Sequence, residues 1–235
     1  MLHPSTATMR LALAVSVSFM LLTGCASAFR SGSGFHEQGC VERALRRTTD
    51  ADAIAHARDA FTLECARGGA EACSALGVMN EVGVGVPVNA LAAVALYERA
   101  CRAGNQRACT NLGVALAEGT GGSRDTVAGA RLLERACDAG DPLACVHLAS
   151  MREVGVGVSK DAVLAAQLFA LACDGGEGNA CLALGDIRAS EGQSDGATEL
   201  YRTGCVHGSA DACGRLDAPA GASLAARTTP YLASR

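Results

Sequence analysis

The sequence predicts an all-α protein, an array of about four antiparallel helix pairs of the α-solenoid kind, on three observations. The unit C-x2-G-x3-A-C occurs five times, pairing Cys65 with Cys73, Cys101 with Cys109, Cys137 with Cys145, Cys173 with Cys181 and Cys205 with Cys213. The first four copies stand 36 residues apart and the last follows after 32, a regularity that stacked supersecondary units produce and a single core does not. Aromatic residues make up 3% of the chain against 49% hydrophobic residues in all. That composition suits closely packed small-residue helices better than a sandwich or barrel, whose strands favour aromatic and β-branched side chains.

From the N-terminus, residues 1–24 read as an export signal. Arg10 precedes an apolar run over residues 11–22, too short to span a bilayer comfortably, and Leu22, Thr23, Gly24 and Cys25 follow it. That quartet resembles a bacterial lipobox, which implies cleavage before Cys25 and a lipid on its thiol. The alternative is an ordinary signal cut near Ala28, and either takes the mature chain out of the cytoplasm. Ala26, not Asp, follows the cysteine, which by the same resemblance implies the outer membrane. Residues 25–35 read as a flexible tether. Residues 36–68 read as a degenerate first hairpin in which Cys40 has no partner before it. With Cys25 acylated, Cys40 is left either as a buried thiol or as a link between chains.

Four repeats follow, at residues 69–104, 105–140, 141–176 and 177–208. In each, a helix begins four residues after the first cysteine, with Asn105, Asp141 before Pro142, and Ser209 placed as N-caps. The second cysteine lies in its first turns. A leucine three residues later and a small residue after that give one buried stripe and room for a neighbour: Leu76 and Gly77, Leu112 and Gly113, Leu148 and Ala149, Leu184 and Gly185. A glycine-rich inner turn follows, with Gly83 and Gly85, Gly119 and Gly121, Gly155 and Gly157. Asn89, Asp125 and Asp161 then stand as caps of a second helix, whose apolar pairs are Leu96 with Tyr97, Leu132 with Leu133, Leu168 with Phe169 and Leu200 with Tyr201. The glycine three residues after each first cysteine is a left-handed C′ residue. The fourth repeat lacks four residues at its inner turn. Residues 209–217 read as a capping helix and residues 218–235 as a disordered tail.

Each cysteine pair therefore spans the turn between one helix and the next, where antiparallel neighbours come close enough for a disulfide and an exported chain keeps it. Closing such a loop is worth roughly 2 to 3 kcal/mol by the chain-entropy argument. The bridges take the place of aromatic packing as a source of rigidity.

A 36-residue helical hairpin with the inner turn Glu81-Val-Gly-Val-Gly-Val, repeated at Glu153, resembles the Sel1-like repeat, a relative of the tetratricopeptide repeat. The added C-x7-C pairs are similar to the cysteine-rich secreted Sel1-repeat proteins of Helicobacter. The resemblance covers residues 53–216. It implies a right-handed superhelix whose first helices line a concave face. It also implies one of two activities: binding of proteins or peptides by a scaffold, or the penicillin-binding and β-lactamase activity described for the Helicobacter group.

Chemistry weighs against the second. Serine β-lactamases use S-x-x-K and K-T-G motifs, whereas the only lysine here is Lys160, between Ser159 and Asp161. His3, His36, His56, His147 and His207 are scattered singly, and C-x7-C is not zinc spacing, so no metal and no cofactor is expected. The G-x-G pairs lack the third glycine and the preceding strand of a dinucleotide loop. Net charge is −4, with no basic stripe, so nucleic acid is not an expected partner.

The candidate ligand face is the set of first-helix positions that vary while the packing stripe stays fixed: Asn80, Asn111, His147, Ser150, Arg152, Asp186 and Arg188. Asn111 resembles the first-helix asparagine with which related repeats hold an extended peptide. The expected function is an exported, lipid-anchored scaffold that binds a protein or peptide partner on its concave face in the periplasm. The alternatives are a β-lactam-binding or hydrolysing protein and a purely structural envelope spacer.

Overall fold

The computed structural model describes residues 51–217, in ten helices with no strand among them. The export signal, Cys25, the tether, Cys40 and residues 218–235 lie outside the described residues. The helices are α1 (Ala51–Ala66), α2 (Ala70–Val82), α3 (Ala90–Arg102), α4 (Gln106–Glu118), α5 (Thr126–Asp138), α6 (Pro142–Val154), α7 (Ala162–Asp174), α8 (Gly178–Ser190), α9 (Ser194–Val206) and α10 (Ala210–Asp217).

Their boundaries follow from local chemistry. The carboxamide or carboxylate of Asn89, Asp125 and Asp161 accepts from the backbone N–H three residues on, at 2.9 to 3.0 Å, and caps α3, α5 and α7. Asn105 caps α4 in the same way at 2.8 Å, Asp141 caps α6 through Leu143 with Pro142 beside it, and Ser209 caps α10 through Ala212. Glu177 before α8 and Gln193 before α9 make no such side-chain bond.

At the joints between repeats the chain turns through a left-handed glycine, as at Gly104 with φ 93°. Its N–H bonds to Cys101 and that of Asn105 reaches back to Ala100, which satisfies the last carbonyls of α3. The helices that meet there are pressed together, and only small residues fit: Ala100, Ala108, Ala136, Ala144, Ala172 and Ala180 are all 0% exposed. Disulfides close each joint, linking Cys65 to Cys73, Cys101 to Cys109, Cys137 to Cys145, Cys173 to Cys181 and Cys205 to Cys213 across Cα separations of 4.6 to 4.8 Å.

The described residues form two compact units, one up to Leu112 with Thr120–Gly122, the other from Gly113–Gly119 with Ser123 onward. In the first unit α2 packs on α1 and α3. Its core holds Met79 and Tyr97, at 0% and 1% exposed. Arg99 of α3 donates to the carbonyls of Cys65 and Ala66 and so caps the C-terminus of α1. In the second unit α5 to α10 pack in succession, and α8 also touches α10. Leu133, Met151 and Phe169 are buried there.

Candidate functional site

The positions chosen for variability fall into three physical situations. His147 and Ser150 are each 4% exposed inside α6, which packs against both α5 and α7. The Ser150 hydroxyl donates to the carbonyl of Val146 at 3.1 Å, a bond within its own helix. These two side chains therefore point into packing, because α6 is covered on nearly its whole circumference.

Asn80, Arg152 and Asp186 are partly buried and already engaged. Asn80 donates to Leu76 at 2.8 Å. Arg152 donates to Ser159 in the inner turn at 3.1 Å and pairs with Glu134 of α5 at 3.8 Å. It thus ties three segments together, while its Nε is buried without a hydrogen bond. Asp186 of α8 accepts from the Tyr201 hydroxyl at 2.8 Å and from Arg215 at 2.9 Å, so it fastens α9 and α10 to α8. The Arg215 guanidinium lies 6.0 Å from the centre of the Tyr201 ring. Burial, and then the hydrogen bond to Asp186, push the Tyr201 phenol up to about 12, with Arg215 opposing. Gly185 makes this arrangement possible, since a Cβ there would lie 2.5 Å from the ring.

Arg188 and Asn111 are the more open positions. Arg188 reaches solvent with 43% of its side chain exposed and pairs with Glu191 at 3.2 Å. Asn111 is half-buried on α4. The hydrogen bonds of Asn80, Ser150, Arg152, Asp186 and Arg188 all go to residues outside the chosen set. None of these bonds joins one chosen residue to another.

Sequence reasoning missed a groove of about 450 Å³ in the second unit, between α7 and α8. Its walls are apolar, from Ala162, Val163, Ala166 and Ala170 of α7 and Leu184 and Ile187 of α8, with Glu153 and Arg188 on the rim. The signal for it was present as the four residues lacking from the fourth inner turn.

Among the described residues no cluster of His, Cys, Asp or Glu could hold a metal ion, and no helix is long and apolar enough to cross a membrane. Every described cysteine lies in a bridge. Such bridges are consistent with an exported protein.

The periodicity has a direct counterpart among known families, because residues 70–105, 106–141 and 142–177 each match the Sel1 repeat. The chain carries three Sel1 repeats. Among solved structures it is similar to the protective antigen c5321 of uropathogenic Escherichia coli, which displays an SLR fold. That match has 27% identity and a TM-score of 0.59 over 69% of this chain. The chain spans only 36% of the antigen's length. A Sel1 repeat protein from Oxalobacter formigenes matches over 83% of this chain and 73% of its own, with TM-score 0.59 and 23% identity, and supports the fold alone. No curated protein matches the sequence. The fold class is that of the Sel1-repeat α-solenoids, and the five cysteine pairs fit the cysteine-rich subgroup.

Proposed function

We propose that this chain is an exported scaffold, held to the outer membrane by a lipid on Cys25, that binds a protein or peptide partner in the cell envelope. The observation that carries the reading is the set of five bridged joints. They commit every described cysteine to closing a joint between consecutive helices of the Sel1 repeats. Repeats of this kind generally bind protein partners, and a pre-stiffened frame lowers the ordering cost of doing so.

Purified oxidised chain should retain a specific protein from crosslinked envelope extracts, and Arg188→Glu, which alters an exposed side chain, should weaken that retention. Replacing Cys25 with Ser should release the chain from the membrane fraction. Failure to retain any protein would favour the spacer. Sustained turnover of a chromogenic cephalosporin would overturn the scaffold reading in favour of β-lactam hydrolysis.

A further inference from the structure

The inner turns of the array do more than reverse the chain. In the third repeat, residues 155–161 fold back so that Gly157, at φ 70°, presses on the first residue of α5; a Cβ there would overlap the carbonyl of Thr126. In the first repeat Gly85 presses likewise on Ile54 of α1 and lies against Met79. These turns roof the helix beneath them. Met79 and Met151, four residues before the first glycine of each turn, are 0% and 1% exposed, and Ala115 at the same place in the second repeat is 8%.

The fourth repeat has only residues 191–193 between α8 and α9. Gly192 there has no neighbour that a Cβ would meet, and the counterpart of Met79 and Met151 is Ile187, half-open on the groove wall. The counterpart of Thr126 is Ala162, also on that wall. The groove of about 450 Å³ is therefore the space that a full-length turn fills elsewhere.

The array itself states what fits such a space. In the third repeat the filler is Gly155-Val-Gly-Val-Ser-Lys160 and in the first Gly83-Val-Gly-Val-Pro-Val88, with small residues and valines in alternation, while the second, Gly119-Thr-Gly-Gly-Ser-Arg124, keeps the small residues without the valines. A basic residue ends the turn in the second and third repeats, at Arg124 and Lys160. The groove supplies a matching charge. In the first repeat Glu81 accepts from the Tyr97 hydroxyl at 2.7 Å. At the place of Tyr97 the third repeat has Phe169, which offers the counterpart Glu153 no hydroxyl, and the exposed Glu153 lies on the groove rim while Arg188 is taken by Glu191.

We propose that the gap beside the shortened fourth turn is a docking groove for an extended segment of a partner protein, one with alternating valine-like and small residues followed by Lys or Arg. The partner's aliphatic side chains cover Ala162, Ala166 and Ile187, and its cation meets Glu153. This deepens the scaffold reading and rests on it.

The test uses the full mature chain and a synthetic peptide with the sequence of residues 155–160, followed by amide chemical shifts. Binding should shift signals of α7 and α8 along the groove. Ala166→Arg should weaken it by about 10-fold or more, as should replacing residues 191–193 with Gly-Val-Gly-Val-Ser-Lys-Asp, which rebuilds the roof. Glu153→Gln should weaken it by about 2-fold to 5-fold and flatten its salt dependence. The rebuilt-roof variant guards against an arginine that merely disturbs folding. No binding, or shifts elsewhere, overturns the groove. Binding that appears only after Leu224, Tyr231 and Leu232 are changed to Asp assigns the groove to the chain's own last residues, which also overturns it. An envelope protein retained equally by the wild type and the rebuilt-roof variant leaves the scaffold standing and removes this site from it.

Discussion

The third and fourth repeats are built on the same kind of joint and differ in the inner turn that follows it. Both close their joints with a disulfide, a left-handed glycine and buried alanines. The third then takes seven residues to pass from α6 to α7, caps α7 with Asp161, and roofs the preceding helix. The fourth takes three to pass from α8 to α9, has no side-chain cap at Gln193, and leaves its neighbour open. The cores differ as well. Ala149 and Phe169 hold in the third repeat the places of Gly185 and Tyr201 in the fourth, where the glycine lies under the ring and the hydroxyl that the phenol adds is bound by Asp186. The comparison teaches that the joint sets the frame while the inner turn sets what the frame exposes.

Five measurements sharpen that contrast. The largest effect is expected at the shared feature: replacing Cys173 and Cys181 together with Ala should cost about 2 to 3 kcal/mol, and the same change at Cys137 and Cys145 a similar amount. Thermal or denaturant unfolding reads both, and a clearly unequal loss would break the claim that the joints are equivalent. Non-reducing peptide mapping should link each cysteine to the one eight residues on.

Next comes the fourth repeat's own network. The Tyr201 phenol ionises less readily in the fold than in the unfolded chain, so its contribution is full below pH 10 and is lost as pH rises toward about 12. Stability should fall by about 2 kcal/mol across that window relative to Tyr201→Phe, which lacks the ionisation. Equal alkaline slopes in the two proteins would remove Tyr201 from the account.

A smaller effect is expected at the glycine beneath that ring. Gly185→Ala should destabilise by about 1 to 2 kcal/mol through overlap with Tyr201, whereas Ala149→Gly in the third repeat should cost only about 0.5 to 1 kcal/mol through helix propensity. The smallest concerns the missing cap: Gln193→Asp should stabilise by about 0.5 to 1 kcal/mol if α9 can be capped as α7 is. A neutral result would mean that the three-residue turn denies the carboxylate access to the backbone of α9.

Much of this was legible before any coordinates. Gly104 and its counterparts announce helix ends because few other residues adopt their conformation, and Asn89, Asp125 and Asp161 announce helix starts because their side chains reach only the next few N–H groups. The candidate face was less legible. Positions were chosen for variation between repeats, but variation does not report exposure. His147 and Ser150 vary and are nonetheless buried, because α6 has neighbours on two sides, and Asp186 varies but is engaged by the Tyr201 hydroxyl, which in the first repeat has its counterpart in Tyr97 bonded to Glu81.

What the sequence determined by itself is therefore the period, the joints, the caps and the pairing of cysteines eight residues apart, all of them interactions that close within a few residues. Only the tertiary structure decided which helix faces are covered, that Arg152 and Asp186 are fasteners between helices, and that four absent residues open a groove on α7. Those depend on residues of different helices, 15 to 29 positions apart at the fasteners, meeting in space, and a missing turn leaves a trace in the sequence without saying which neighbour it uncovers.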